Sequence, residues 1–181
     1  KLVCMSKIER NFLSETNAKN PDYHLIVIWY NARKYNQRVL DVISDYFHIH
    51  KTLEISWSQD LIDKNFARFY SRVAKGGHAK ANKRGRGPFI VIIFSDINPH
   101  YAYRKSVSGG YKLMNTKVVD LKKNLRKLPD IKNIIHSSSD PYEFKRDMTL
   151  LFGINYLENL GIHENSLWDG EVLKKKLDPI G

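Results

Sequence analysis

His136 and Asp147 are the residues of this sequence whose types and spacing most clearly indicate chemistry. His136 follows two isoleucines of a predicted core strand, so its ring is expected at the end of that strand. Asp147 comes eleven residues later on a predicted helix, about 40° from Leu151 around the axis, and therefore borders the apolar face. An unpaired buried carboxylate is costly, and the His136 ring is its candidate partner. Such a bond would fix the tautomer and leave the other ring nitrogen free as a nucleophile or base.

A purely structural interpretation of this pair stays open at this point. A core histidine bonded to a structural aspartate would show the same spacing in the sequence. The surroundings of the ring decide between the two interpretations. Apolar neighbours on every side of the imidazole, or an Asp147 side chain that points into water, would exclude the chemical role.

The predicted helix that carries Asp147 has clear signals at both ends. Asp140 is the N-cap candidate, Pro141 suits the first helical position, and Glu143 stands where a capping box needs a carboxylate. Gly153 is expected to end the helix. The residues predicted to form its buried face are Phe144, Met148, Leu151 and Phe152.

The rest of the sequence predicts a sheet to which this strand and helix would belong. Continuous apolar runs at 25–30 and 89–94 are typical of buried central strands, and 53–57 alternates like a strand with one covered face. Helices are predicted over 35–47, 62–73, 101–105 and 118–128. This alternating order favours an α/β domain, an α+β sandwich with helices on one or both faces of the sheet.

The composition limits the classes of partner. The chain has 181 residues, 42% hydrophobic and 27% charged, which is typical of one globular domain and excludes wholesale disorder. A single cysteine, Cys4, excludes an intrachain disulfide framework and a multi-cysteine metal site, and it predicts a cytoplasmic setting. The apolar runs are too short to span a membrane, so no membrane partner is expected. The net charge of +11 predicts an anionic partner: phosphate, a nucleotide or a nucleic acid.

Residues 72–86, here called the basic segment, contain six Lys or Arg, three glycines and no acid. This composition predicts a mobile loop. With the aromatic residues just before it, the segment would suit a nucleic acid as its anionic partner. The phosphate ligands would then be Lys80, Lys83, Arg84 and Arg86, and the stacking rings would be Phe66, Phe69 and Tyr70. The segment is not a P-loop, because no G-x-x-x-x-G-K-[ST] spacing occurs in the sequence.

The stretch KNIIHSSSD at 132–140 resembles the active-site strand NIIHGSD of nucleoside diphosphate kinases. Residues 86–94, RGPFIVIIF, are similar to the family's SGPVVAM strand. Residues 144–152 resemble the family's helix that carries the glutamate orienting the histidine. The resemblance covers residues 23–153 in the right order, and it is most specific around His136.

This resemblance implies a ferredoxin-like βαββαβ core at 23–153, with extra segments at 1–22 and 154–181. It implies a nucleotide-binding phosphotransferase that moves the terminal phosphoryl group of a nucleoside triphosphate through a phosphohistidine. Magnesium would arrive with the nucleotide phosphates rather than in a dedicated protein site. The expected assembly is a homo-oligomer or one part of a multidomain chain, with 154–181 as an arm or linker.

Carried over to this sequence, the resemblance makes His136 the nucleophile and Asp147 the residue that orients it. It further implies that Asn133 contacts the nucleotide sugar and that Arg104 and Arg126 bind phosphates. Two guanidinium groups would stabilise the charge on the oxygens of the transferring phosphoryl group.

The sequence departs from the family after the first strand, where WYN at 29–31 replaces Lys-Pro-Asp. The family's catalytic lysine therefore has no counterpart in place. The family's tyrosine aligns best with Phe66, and Tyr70 is the alternative. These departures keep two other functions open. One is a catalytically altered nucleotide-binding or regulatory module of a larger protein, and the other is a basic nucleic-acid-binding domain.

Overall fold

The computed structural model of the chain describes residues 21–70, 77–105, 110–128 and 134–156. The strands are β1 (Asp22–Ile28), β2 (His48–Ile55), β3 (Phe89–Asp96), β4 (Tyr101–Lys105), β5 (Tyr111–Asn115) and β6 (Ile135–Ser137). The helices are α1 (Asn36–Ser44), α2 (Ile62–Phe69), α3 (Gly77–Arg84), α4 (Thr116–Leu125) and α5 (Pro141–Phe152), and a 3₁₀ helix, Tyr30–Tyr35, precedes α1. Within these residues no helix is both long and apolar enough to cross a bilayer. The predicted domain boundaries stay predictions, because most of 1–22 and 154–181 lies outside the described residues.

Four strands form one antiparallel sheet in the order β2-β3-β1-β6. The connection through α1 joins β1 to β2, and the connection through α4 joins β3 to β6, so each passes over one strand of the sheet. This is the βαββαβ arrangement of the ferredoxin-like fold, and the predicted fold class is confirmed. The short strand β6 forms one edge of the sheet, where His136 lies opposite Val27 of β1.

The central strands β1 and β3 are buried along their whole length because helices cover both faces of the sheet. Successive side chains of a strand alternate between the faces. Leu25 and Val27 therefore pack with apolar residues of α2, α3 and α5, whereas Ile26 and Ile28 pack with those of α1 and α4. His136, opposite Val27, belongs to the face that α5 covers.

The helix α5 begins and ends where the sequence predicts. The Asp140 side chain accepts a hydrogen bond from Glu143 N at 2.7 Å, and Pro141 occupies the first turn. Gly153 ends the helix with a φ of 87°, in the left-handed region where a side chain would be strained. Phe144 is buried on the inward face, and Asp147, three residues later, is buried beside it.

Residues 101–105 form the strand β4, so the short helix predicted there is wrong. β4 pairs with β5 in an antiparallel hairpin that is separate from the main sheet. Tyrosine favours the extended backbone, and Tyr103 lies directly opposite Leu113, which explains the strand. Arg104 is consequently an exposed residue of this hairpin, opposite Lys112.

The mobile loop predicted for the basic segment is wrong for its described part, because residues 77–84 form α3. Ala81 is fully buried, and Arg84, one turn later on the same side, is only 7% exposed. The helix therefore has an inward face despite its many basic residues. Gly85 ends it with a φ of 87°. Residues 72–76 of the segment lie outside the described residues.

A buried polar cluster joins the hairpin and α4 to the main sheet. Asn115 is the N-cap of α4, and its side-chain oxygen accepts hydrogen bonds from two backbone amides of the first turn. Its amide nitrogen donates to Asp96 Oδ2 at 3.0 Å and to Asp22 Oδ2 at 3.4 Å. The Tyr101 hydroxyl also donates to Asp22. One side chain thus stabilises a helix end and two buried carboxylates.

We predict that Asn115→Ala lowers the free energy of unfolding by about 2–4 kcal/mol, because α4 loses its cap and two carboxylates lose a donor. Asn115→Asp keeps a capping oxygen but adds a carboxylate beside Asp22 and Asp96, so it should also destabilise the protein at neutral pH. Urea denaturation followed by circular dichroism measures both. Asn124→Ala, on the exposed side of α4, is the control and should cost less than about 0.5 kcal/mol. Equal losses in the Asn115 and Asn124 variants would contradict this role.

Candidate functional site

The candidate site forms where α5 covers the edge strand β6. His136 Nε2 lies 2.5 Å from Asp147 Oδ2, so the hydrogen bond that the sequence predicts is present. The Asp147 side chain has no exposure to solvent, and that of His136 is 10% exposed. His136 Nδ1 makes no hydrogen bond with any residue that the structure describes. The bond through Nε2 therefore sets the ring orientation and leaves the Nδ1 lone pair available.

Arg146 donates hydrogen bonds to the second oxygen of the Asp147 carboxylate. Its Nε and Nη2 donate to Asp147 Oδ1 at 2.9 and 2.5 Å. Its Nη2 also lies 3.7 Å from Glu143 Oε1. Burial lowers the pKa of Arg146, but the adjacent Asp147 charge outweighs burial and raises the pKa above its ordinary value. With both oxygens engaged, the carboxylate is held in place against the imidazole.

Two aromatic rings at the end of α2 contact the imidazole of His136 edge-on. Its ring centroid lies 4.8 Å from that of Phe69 and 5.9 Å from that of Tyr70. The Tyr70 oxygen accepts hydrogen bonds from Trp29 Nε1 at 2.9 Å and from Arg84 Nε at 3.1 Å. Burial raises the pKa of Tyr70, so the phenol keeps its proton at neutral pH. Since a phenol oxygen accepts two hydrogen bonds, its O–H remains to be donated to a further acceptor.

Two guanidinium groups bring positive charge to Tyr70. The Arg84 guanidinium carbon lies 4.3 Å from the centre of the Tyr70 ring. Arg84 Nη1 and Arg126 Nε are both buried donors that find no acceptor among the described residues. Burial lowers the pKa of Arg126, and Tyr70 acts in the opposite direction. Because buried donors are nearly always paired in proteins, these two favour the binding of an anion beside Tyr70.

Lys122 reaches the same sheet edge from α4, which lies on the opposite face. Its Nζ donates to Ser137 O at 3.0 Å, immediately after His136 in β6. Burial lowers the pKa of Lys122, and the charge of Glu143 opposes that shift. Arg84 and Lys122 thus reach residues that adjoin His136 from the two helical layers, Tyr70 on one face and Ser137 on the other.

Glu143 connects the turn after β6 to this set of charges. Its Oε2 accepts hydrogen bonds from Ser139 N at 3.0 Å and from Ser139 Oγ at 2.8 Å. Burial raises the pKa of Glu143, but the charges of His136 and Lys122 and the two Ser139 bonds outweigh burial. The pKa of the carboxyl therefore lies below its ordinary value.

His136, Glu143 and Asp147 are also a conceivable set of metal ligands, since one ligand atom of each lies within 4.8 Å of the others. Arg146, however, places its guanidinium against both carboxylates. A divalent ion would have to displace this cation or be repelled by it. These residues therefore fit a network that positions His136 better than a resident metal site.

The structure places the predicted nucleotide ligands differently with respect to His136. The charge of Arg126 interacts with Tyr70. Arg104 lies on the exposed hairpin and joins none of the hydrogen bonds or ion pairs described around His136. Asn133 lies outside the described residues, so its contact with a nucleotide sugar stays a prediction.

The structure places the four cations predicted to bind a nucleic acid in different surroundings. Arg84 is buried against Tyr70, and Arg86 donates to Asp63 Oδ1 at 2.7 Å. Lys80 lies over the same tyrosine ring, with Nζ 5.6 Å from its centroid, and Lys83 is exposed. The rings assigned to base stacking belong to the core, with exposures of 1% for Phe66 and 3% for Phe69. Of the described part of the segment, Arg84 thus faces inward and Lys83 faces solvent, and nucleic-acid binding by this segment stays a prediction.

Sequence reasoning missed Arg84 and Lys122 as members of the site. The signal for Arg84 was its i+3 spacing from Ala81, which places both on one face once 77–84 are taken as helical. The sequence also favoured Phe66 over Tyr70 as the match to the family's tyrosine. In the structure Phe66 packs on Trp29 in the core, with ring centroids 4.8 Å apart, and Tyr70 is the ring that bears a hydroxyl beside His136.

Comparison with solved structures finds nucleoside diphosphate kinases as distant neighbours. The enzyme of Aquifex aeolicus is 13% identical, with 73% of this chain and 95% of that chain covered and a TM-score of 0.45. The enzyme of Encephalitozoon cuniculi is 13% identical, with 78% and 99% covered and a TM-score of 0.46. The enzyme of Borrelia burgdorferi, a transition-state mimic with bound vanadate and ADP, is 14% identical, with 75% and 89% covered and a TM-score of 0.41. No protein-family model and no curated protein matches the sequence.

The lowered pKa of Glu143 makes a prediction for the pH dependence of stability. Since the folded carboxyl binds its proton less tightly than the unfolded one, its stabilising contribution is complete above pH 4.5, the ordinary pKa, and is lost as the pH falls through the lowered value. Glu143→Gln should therefore destabilise the protein most at neutral pH, and the difference from the wild type should shrink towards about pH 3. Urea unfolding across this pH range measures the difference. A difference that is constant with pH would contradict the assignment.

Proposed function

We propose that this chain is a nucleotide-binding phosphotransferase in which His136 receives the terminal phosphoryl group of a magnesium-bound nucleoside triphosphate. The observation that carries the proposal is the bond between His136 Nε2 and the buried Asp147, which leaves Nδ1 unbonded among the described residues. A purely structural pair would give no role to the unpaired Arg84 Nη1, whose guanidinium packs on the Tyr70 ring next to His136.

The transfer itself follows from this geometry. The Nδ1 lone pair attacks the terminal phosphorus, a nitrogen–phosphorus bond forms, and the bond from phosphorus to the bridging oxygen breaks. The nucleoside diphosphate leaves with the electron pair of that bond. The proton on Nε2 stays hydrogen-bonded to Asp147, whose negative charge stabilises the positive charge that the ring acquires. In the reverse sense, an acceptor diphosphate oxygen takes the phosphoryl group from Nδ1.

The surrounding groups have roles that suit a charge spread over phosphoryl oxygens. Arg84 Nη1 and Arg126 Nε are the unpaired donors that would bind those oxygens. The Tyr70 hydroxyl, which already accepts two hydrogen bonds, would donate a further one. We assign the first phosphate contact to Arg84 rather than to Arg104, because only Arg84 contacts Tyr70 next to His136.

Magnesium enters this proposal as part of the substrate. Mg²⁺ keeps several waters and is commonly bound through nucleotide phosphates, so it requires no all-protein cage. The acidic groups nearest to His136 are engaged by Arg146, Ser139 and the imidazole itself. The metal would therefore neutralise phosphate charge from the nucleotide side, opposite the arginines.

A second function, nucleotide binding without transfer, is favoured by one specific observation. The residues at 29–31, which stand where the family has Lys-Pro-Asp, offer no lysine to a nucleotide. Trp29 is buried in the core, and the Asn31 side chain donates a hydrogen bond to Lys83 O at 3.1 Å. Arg33, the next basic residue, forms a salt bridge with Glu54. A regulatory module would use the same arginines to bind phosphate and leave His136 unmodified.

Incubation with ATP that carries a radioactive terminal phosphate distinguishes the two functions. We expect acid-labile, alkali-stable label on the wild-type chain in the presence of Mg²⁺, and no label on His136→Ala. His48→Ala, at an exposed position of β2, is the matched control and should be labelled like the wild type. Calorimetry with MgATP is the second measurement. Binding without label would support the regulatory function in place of transfer. The absence of both label and binding would overturn both functions.

Arg84 provides a separate prediction about rate. Arg84→Gln should slow the labelling of His136 by about 100-fold, since loss of one preorganised donor to a transition-state oxygen has an effect of that order. Arg84→Lys keeps the charge but loses the forked geometry of the guanidinium, so its labelling rate should lie between those of Arg84→Gln and the wild type. Lys83→Gln, an exposed neighbour on α3, should label at the wild-type rate. Circular dichroism establishes that each variant is folded, and a wild-type rate for folded Arg84→Gln would exclude this role.

A further inference from the structure

Four basic residues on α4 and on the β4–β5 hairpin form a chain of neighbours that the proposed transfer uses only at one end. We call Arg126, Lys122, Lys112 and Arg104 the cationic row. Lys122 and Arg126 are four residues apart at the end of α4 and therefore share one side of the helix. The charge of Lys112 acts on Lys122. Arg104 lies directly opposite Lys112 in the hairpin register, so these two side chains lie on the same face of the hairpin.

The row begins at the candidate site and leads away from it. Lys122 Nζ donates to Ser137 O at 3.0 Å, immediately after the proposed nucleophile in β6. The charge of Arg126 interacts with Tyr70, whose ring contacts the imidazole edge-on. At the other end of the row Arg104 is exposed to solvent. A ligand that follows the row therefore reaches from the neighbours of the nucleophile to the solvent.

The hairpin end of the row carries positive charge without a bound counter-charge. No member of the row forms a salt bridge with any residue that the structure describes. The sequence has no Asp or Glu between Asp96 and Asp120, a span that contains the whole hairpin. Asp140 acts on Lys112 only at longer range. Like charges directly opposite each other destabilise a strand pair, so an anion bound across Arg104 and Lys112 would stabilise the hairpin.

The α4 end of the row is also incompletely paired. Lys122 donates to a neutral carbonyl, and the charges of Glu143 and Asp147 act on it without a salt bridge. The negative end of the α4 dipole favours cations in the last turn, yet Arg126 Nε is buried and has no acceptor among the described residues. Since buried donors are nearly always paired, this end of the row also favours a bound anion.

The hairpin face on which the row lies suits a phosphate chain without bases. Side chains alternate between the two faces of a strand, so Tyr103 and Tyr111 lie on the face opposite to the row. The face of the row carries Ala102 and Met114, which offer no flat ring to a base. A nucleic acid would use the cations but find no stacking partner there. An inorganic polyphosphate needs only the cations, and its terminal phosphoryl group is of the kind that the proposed transfer moves.

We propose that inorganic polyphosphate is a phosphoryl donor to His136 and that its chain lies along the cationic row. This inference rests on the proposed function of His136. Nδ1 of the imidazole attacks the terminal phosphorus, a nitrogen–phosphorus bond forms, and the bond from that phosphorus to the bridging oxygen breaks. The chain, one phosphate shorter, leaves with the electron pair of that bond. An oxygen of a nucleoside diphosphate then takes the phosphoryl group from Nδ1, so the net reaction makes a triphosphate from polyphosphate.

Incubation with radiolabelled long-chain polyphosphate and Mg²⁺, in parallel with ATP labelled in its terminal phosphate, tests the proposal. We expect polyphosphate to put acid-labile, alkali-stable label on the wild-type chain and none on His136→Ala. Arg104→Gln with Lys112→Gln should need about tenfold more polyphosphate for half-maximal labelling, because two ion pairs with the chain are lost. Labelling of this double variant by ATP should change by less than about twofold, since the proposed nucleotide contacts are Arg84 and Arg126.

The matched control is Lys123→Gln with Lys127→Gln, which removes two charges from exposed positions on α4 and just after it, outside the row. This control should need the same polyphosphate concentration as the wild type. The Arg104 and Lys112 double variant loses a repulsive cross-strand pair, so its melting temperature should be no lower than that of the wild type. Circular dichroism measures this and separates a lost contact from a lost fold.

The two donors distinguish this inference from the proposed function on which it rests. Label from ATP without label from polyphosphate would overturn the inference alone, and no label from either donor would overturn both. Equal polyphosphate requirements in the row variant and the control would also overturn it. Single-stranded oligo(dT) is the competitor, because its phosphodiesters carry charge but no transferable terminal phosphoryl group. Inhibition by oligo(dT) as strong as that by unlabelled polyphosphate would assign the row to nucleic acid instead.

Discussion

The carboxylate of Asp147 has no exposure to water, so its charge must be compensated where it lies: Arg146 supplies a positive charge on one side and His136 a hydrogen bond on the other. This requirement governs how α5 packs. The helix has to lie over β6 with Asp147 facing the imidazole, and the cap at Asp140 and the stop at Gly153 determine which residues it can place there. The orientation of the His136 ring is therefore a consequence of the burial of Asp147. Because Nε2 makes the hydrogen bond to that carboxylate, Nδ1 is the ring nitrogen left without one.

The position of β6 at the sheet edge determines what else can reach the ring. A central strand of this sheet is enclosed by helices and neighbouring strands on every side, as β1 is. At the edge, Arg84 approaches from α3 on one face, and Lys122 comes from α4 on the other. The ferredoxin-like strand order thus brings a buried cation from each helical layer to a residue that adjoins His136, Arg84 to Tyr70 and Lys122 to Ser137.

The parts of the molecule that could be predicted from sequence are those whose signals are local. The fold class followed from the order of strands and helices, and the bond between His136 and Asp147 followed from a strand end, a capped helix and the helical period. Arg84 could not be found in this way, because α3, GHAKANKR, has no stripe of large apolar residues, and its inward face is defined by the tertiary packing of Ala81. β4 was mistaken for a helix for a related reason: a five-residue stretch carries no period long enough to outweigh its pairing with β5.

Unpaired donors are the observation that favours the proposed chemical role over a purely structural one at this site. Leaving a buried donor without an acceptor costs about 1–3 kcal/mol. A histidine that only packs against Phe69 and Tyr70 would not offset this free energy. Arg84 Nη1 and Arg126 Nε both carry this cost, and Arg84 does so against a phenol whose O–H is also free to donate. An anion bound beside Tyr70 would accept from Arg84 and from the phenol. The free energy that the fold loses by keeping these donors apart from acceptors is then recovered on binding, and it lowers a barrier only to the extent that the donors bind the transition state more tightly than the substrate.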